Sequence, residues 1–90
     1  MRLEAVFHGR VQGVGFRWTA CKFAARRGVR GWVMNMPDGT VRLVAEGEPD
    51  QVRGLLADLK RAFAGYVSRC EYNESEHEQG LGPFDVRFHR

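Results

Sequence analysis

Gly9-Arg10-Val11-Gln12-Gly13-Val14-Gly15-Phe16-Arg17 joins a segment of strand character to one of helix character, and its reading decides the fold. It carries three glycines and ends in an arginine where the helix begins. Glycine lets a backbone turn sharply and approach a ligand closely. The amides of a first helical turn have no intrahelical partner and face whatever lies in front of them, which suits a phosphate. The stretch reads as an oxyanion cradle with a built-in guanidinium. No Ser, Thr, Asp or Asn stands between Gln12 and Trp18 to cap the helix. Arg17 instead sits at the positive end of the helix dipole, an arrangement unfavourable without an anion and favourable with one. Taken alone, the loop reads equally well as a plain glycine-rich connection with a solvated arginine. It is not a Walker A loop, since no Gly-Lys-Ser/Thr follows. It also lacks the third glycine of the dinucleotide fingerprint.

Working outward, Leu3, Ala5 and Phe7 alternate with Glu4, Val6 and His8, which predicts a strand over residues 2–9 with one apolar face. Arg17 to Arg27 reads as a helix, with Phe16, Ala20, Phe23 and Ala24 on one side and Gly28 as its stop. Val29 to Met36 and Thr40 to Glu46 are strand-like on either side of Pro37-Asp38-Gly39, a hairpin pattern. Pro49 and Asp50 open a second helix with the stripe Val52, Leu55, Leu56, Leu59 and Phe63, ended by Gly65. Tyr66 to Glu74 predicts a fourth strand, Ser75 to Gly82 a polar loop, and Phe84, Val86 and Phe88 a last strand. The order β-α-β-β-α-β with a short extra strand is the ferredoxin-like split βαβ pattern of the α+β class. The expectation is a single domain over residues 1–90, with one antiparallel sheet and both helices on one face. Its core should hold Phe7, Val33, Leu43, Leu55, Leu59 and Val86.

The chain has a net charge of +3 and a pI near 9.3. Glu71, Glu74, Glu76 and Glu78 crowd one segment, leaving the remainder more basic and predicting an anionic partner. Cys21 and Cys70 form no Cys-x-x-Cys pair, so zinc and iron–sulfur ligation lack their spacing; two buried free thiols are expected. Met1-Arg2-Leu3-Glu4 enters a strand pattern at once, with no signal peptide or spanning segment, and a cytoplasmic location is the expectation.

Asn35 is the second residue that stands out. Alternation puts it on the face of Gly31 and Val33, where a polar amide must find a partner or line a pocket. A right-handed crossover makes strands one and two run parallel. Residues 10–16 leave the C-terminal end of strand one, and Asn35 ends strand two, so both lie at one edge of the sheet. By itself Asn35 reads more simply as a turn-opening residue bonded to its own backbone.

With the loop, Arg17 and Asn35 together, the sequence resembles the acylphosphatase family. The matching residues are Gly9 to Arg17, then Gly31-Trp32-Val33-Met34-Asn35-Met36-Pro37-Asp38-Gly39-Thr40-Val41, then Glu46-Gly47, and the closing Phe84-Asp85-Val86-Arg87. The resemblance implies a ferredoxin-like enzyme that hydrolyses acyl phosphates and needs no metal or other cofactor. It implies a phosphate-binding loop of Gln12, Gly13, Val14, Gly15, Phe16 and Arg17. Arg17 would hold the phosphate, and Asn35 would position the attacking water. The implied partners are a small acyl phosphate as substrate and inorganic phosphate as product. Neither nucleic acid nor membrane is expected, and the chain is expected to act as a monomer. Met34 departs from the family, where that position is often basic, and Phe63-Ala64-Gly65 replaces a frequent Gly-Pro-Pro turn. The rival reading is a non-catalytic anion- or nucleic-acid-binding module of the same fold. An RNA-binding sheet needs stacking aromatics on its central strands; Thr40 to Glu46 has none and strand one offers only Phe7. His8, His77 and His89 read as solvent-facing residues rather than catalytic bases.

Overall fold

The computed structural model describes residues 1–89. Their elements are β1 (Arg2–Gly9), α1 (Phe16–Arg27), β2 (Arg30–Asn35), β3 (Val41–Glu46), α2 (Pro49–Ala62), β4 (Val67–Ser75) and β5 (Asp85–Phe88). The strands form one sheet in the order β4-β1-β3-β2-β5. Pairing of β1 with β3 places Leu3, Ala5 and Phe7 beside Ala45, Leu43 and Val41, so one face is continuously apolar. Both helices cover that face, and the resulting core joins these residues to Val33, Ala20, Ala24, Val52, Leu55 and Leu59. Gly28 ends α1 in a left-handed conformation, its amide capping the carbonyls of Ala24 and Ala25. Arg27 ties the helices together: its Nε donates to Asp58 Oδ2 at 2.8 Å and its Nη1 to Gln51 Oε1 at 3.1 Å.

The sheet is not wholly antiparallel, contrary to the sequence-based expectation. β1, β3, β2 and β4 pair antiparallel, but β5 runs parallel to β2. The reason lies in the crossing. β4 occupies one edge and ends at Ser75, and residues 76–84 carry the chain to the opposite edge. They cross at the end of the sheet where β2 begins, so β5 enters beside β2 in the same direction. Being four residues long and at an edge, β5 shelters its side chains poorly. Val86 is therefore only half-buried, not a core residue, and Phe88 is 73% exposed.

Glu46 anchors the crossing. It is buried on the sheet face opposite the helices. Its Oε2 accepts from the Gln79 amide at 2.7 Å and from Arg2 Nη1 at 2.8 Å, and its Oε1 accepts from the Leu81 amide at 3.0 Å. Burial alone would raise its pKa; the two amides and the arginine overcome this and hold it at about 2. Glu78 takes the Met1 amine and Arg30 Nη2, each at 2.7 Å. Glu74 pairs with Arg53 at 2.9 Å, and Glu71 with Arg69 at 3.3 Å. The acidic segment thus clasps cations of this chain, which removes much of the charge asymmetry that the sequence suggests.

Other differences are local. α1 starts one residue earlier, at Phe16. α2 stops at Ala62 rather than near Gly65, because the Tyr66 and Val67 amides turn back onto the Phe63 carbonyl, both at 2.9 Å. Cys21 and Cys70 are free thiols as expected, but half-buried rather than buried. Among the described residues, no helix is long and apolar enough to cross a membrane.

Candidate active site

The loop between β1 and α1 is shaped by backbone conformation. Gly13 and Gly15 have φ of 77° and 82°, and an added Cβ would meet nothing within 4 Å at either. Space does not demand glycine there; the left-handed turn does. Gly15 caps α1 without any side-chain hydrogen bond. Among the described residues, none of the amides of residues 12–18 donates to a protein acceptor, whereas Thr19 bonds back to the Gly15 carbonyl at 3.0 Å. A row of donors is therefore left at the positive end of a twelve-residue helix.

Side chains on either side fix this loop in place. Phe16 is buried, with its ring 4.8 Å from those of Phe7 and Phe63, and Val14 packs against the same core. Gln12 does something the sequence did not disclose. Its Nε2 donates to the Met36 carbonyl at 2.8 Å and the Thr40 carbonyl at 3.0 Å, clamping the loop to the β2–β3 turn. The turn is rigid in its own right: Asp38 Oδ1 accepts from Thr40 Oγ1 at 2.6 Å and the Thr40 amide at 3.0 Å. These same bonds hold the Asp38 carboxyl below its usual pKa.

Asn35 sits at the last position of β2, next to that turn. Its Oδ1 is buried and, among the described residues, has no hydrogen-bond partner. A buried amide oxygen left unpaired carries a desolvation cost, so its place calls for a reason. It does not play the self-bonded turn role that the residue alone suggested. A cleft of ≈ 490 Å³ brings Asn35 together with Gly13, Gly15, Phe16 and Arg17. Gln12 meets Arg17 and Asn35 in an adjoining hollow. The half-buried Arg17 has no carboxylate partner among the described residues; its guanidinium lies 5.6 Å from the centre of the Phe88 ring. Phe88 is the register partner of Asn35 across β2 and β5.

The arrangement concentrates hydrogen-bond donors, the Arg17 guanidinium and one amide oxygen in a small concave space, with the Asp85 carboxylate also on its lining. It suits a tetrahedral oxyanion with a water beside it. Cys21 also lines the cleft, but burial first and the Asp85 carboxylate second push its thiol pKa up, which disfavours the thiolate. No group of three or more His, Cys, Asp or Glu among the described residues could hold a metal ion. His8 lies on the outer sheet face against Glu71, and His77 is exposed; of the three, only His89 comes near, at the rim of the adjoining hollow.

The family model described as Acylphosphatase matches residues 3–88. The chain belongs to the acylphosphatase family. An acylphosphatase of Thermococcus kodakarensis is 52% identical over 87 residues, covering 96% of this chain and 94% of that protein. The crystal structure of acylphosphatase from Bacillus subtilis superposes with a TM-score of 0.88 at 30% identity, covering 96% of this chain and 97% of that one. The acylphosphatase structure from Coxiella burnetii gives 0.81 at 34% identity, covering 96% and 90%. Within this family frame the departure at Met34 is placed simply. It points to the opposite sheet face from Asn35, beside its register partners Arg42 and Arg87.

Trp18, Phe88 and Glu46 are further residues of interest to which the sequence reading assigned no part in the site or its support. Trp18 had a faint signal, since it stands in the first turn off the Ala20–Ala24 stripe. For Phe88 and Glu46 the neighbours that matter are set by pairing across the sheet.

Proposed function

We propose that this protein hydrolyses the carboxyl–phosphate bond of small acyl phosphates, releasing a carboxylate and inorganic phosphate. The observation that carries the reading is the buried, unpaired Oδ1 of Asn35 in one cleft with Arg17 and the free amides of α1. In this reading the amides of Gln12, Gly13, Val14, Gly15, Phe16 and Arg17 surround the phosphate oxygens. The Arg17 guanidinium supplies a planar fork to two of them. Asn35 Oδ1 accepts a hydrogen bond from the attacking water, and its amide nitrogen can donate one to the phosphate. The water attacks phosphorus as the P–O bond to the carboxylate breaks on the far side. A carboxylate leaves without protonation, so no general acid is needed, and the water's proton passes to the phosphate. Phosphoryl transfer depends chiefly on position and charge stabilisation, which this constellation offers. The reading takes the chain as a cytoplasmic, one-domain monomer that uses no metal or other cofactor and binds neither nucleic acid nor membrane.

The test is hydrolysis of acetyl phosphate beside glycerol phosphate, with and without EDTA. Phosphate release from acetyl phosphate alone, unchanged by chelation, is expected. Equal turnover of the phosphomonoester, or a loss with EDTA restored by magnesium or zinc, contradicts the mechanism.

A further inference from the structure

Two hollows of different chemistry meet at Arg17, Asn35 and Phe88. One holds Gln12, Arg87 and His89 beside Met36 and Pro37 and is the more polar of the two. The other runs between Trp18 and Phe88, over Cys21 and Val86. Its two walls are aromatic rings left largely in water, Trp18 at 68% and Phe88 at 73% exposed. Neither ring belongs to the core. Trp18 stands one residue after Arg17, off the buried Ala20–Ala24 stripe, and Phe88 closes β5 at the register position of Asn35. Two large exposed rings on the lining of one cleft mark a surface that gains from being covered. The covered body must be continuous with an anion, since the inner end of the cleft is the Arg17 guanidinium and the free amides. Asp85 lines the same cleft, so a body bearing its own negative charge is disfavoured there.

We infer that the Trp18–Phe88 cleft is the acyl subsite and that it selects acyl phosphates with an apolar, ring-sized acyl group over acetyl or carbamoyl phosphate. The inference rests on the acyl phosphate reading above, which supplies the anion end of the ligand. A phenyl ring of a benzoyl group lies between the two walls, while an acetyl methyl reaches neither. Burial of apolar ligand surface in a half-open cleft is worth about tenfold in affinity.

The test uses two stable isosteres in which a methylene replaces the bridging oxygen. Phenacylphosphonate stands for benzoyl phosphate and acetonylphosphonate for acetyl phosphate. Titration calorimetry on the native protein should show phenacylphosphonate binding about tenfold more tightly. In Trp18→Ala this ratio should fall to about twofold or less. Equal affinity of the native protein for the two ligands overturns the inference, as does a ratio that survives in folded Trp18→Ala. Trp18 is exposed, so the variant is expected to fold, and the native-protein comparison decides even if it does not. Hydrolysis of acetyl phosphate and benzoyl phosphate is measured alongside. Failure to turn over either one sinks the enzymatic reading, while the binding ratio still reports on the cleft.

Discussion

Two irregular segments at opposite ends of the sheet use the same groups to different effect. In the crossing of residues 76–84, the Gln79 and Leu81 amides converge on an anion that the chain itself supplies, the buried Glu46. In the loop before α1, the amides of residues 12–18 meet no protein acceptor among the described residues, and the Asp85 carboxylate on the lining of the cleft takes none of them. Both ends pair the amides with an arginine: Arg2 bonds Glu46, whereas Arg17 is left to solvent and the Phe88 ring. The contrast shows how one can tell structure from function in so small a chain. Where donors meet a carboxylate within the fold, they hold the fold together. Where the donors of a held backbone remain unmet, the proposed function gives them a ligand. Gln12 makes the second case sharp, because it clamps the loop in place without taking up any of its amides.

Removing the unmet groups should damage catalysis and spare stability. Arg17→Ala should lower kcat/KM on the order of 10³-fold and weaken inorganic phosphate binding about tenfold or more, since a charge-stabilising donor is lost from ground and transition states alike. Asn35→Ala should reduce kcat on the order of 10²-fold while phosphate affinity stays within about threefold, because its effect is on the water. Steady-state kinetics and phosphate titration separate the two. A folded Asn35→Ala with full turnover would remove Asn35 from the reaction.

The met carboxylate should behave in the opposite way. Glu46→Gln should destabilise the fold by about 2 kcal/mol, since Arg2 loses its ionic partner and one amide its acceptor. Turnover per folded molecule should change little by comparison. The sign of the pH effect follows from the lowered pKa. With the folded carboxyl at about 2 against 4.5 ordinarily, the ionised form favours the fold. Its contribution is complete above pH about 4.5 and is lost as pH falls through about 2. Urea midpoints at neutral and acid pH should therefore drop further in the native protein than in Glu46→Gln; equal drops would remove Glu46 from its anchoring role.

Much of this was legible in local patterns. The alternation of Leu3, Ala5 and Phe7, the stripe of α2 and the Pro37-Asp38-Gly39 turn each report a structure completed within a few residues. Asn35 was legible through alternation too, because its face is shared with Gly31 and Val33 and its edge with the glycine loop. What escaped depends on partners far apart in the chain. The direction of β5 is set by which end of the sheet residues 76–84 cross, and they cross at the end where Glu46 holds them. The Gln12 clamp spans 24 and 28 residues, and the Glu46–Gln79 bond 33. A polar residue in a polar loop carries no local mark of such a partner.

A smaller effect sharpens the same comparison. Gly15 and Gly80 have φ of 82° and 69°, one in each segment, and neither lacks room for a Cβ. Each replacement by alanine should cost about 1 kcal/mol or slightly more through the left-handed backbone. Only Gly15→Ala should also lower kcat/KM, by reorienting amides that face the cleft. Equal activity in both variants would deny the loop its special part.

The most direct test is a titration of ¹⁵N-labelled protein with inorganic phosphate, followed by amide shifts. The account predicts saturable shifts at Gln12 to Arg17 and at the Asn35 side chain, with Gln79 and Leu81 unmoved. Shifts centred instead on the outer face around Arg42 and Arg87, or no saturable shift in the loop, would contradict it.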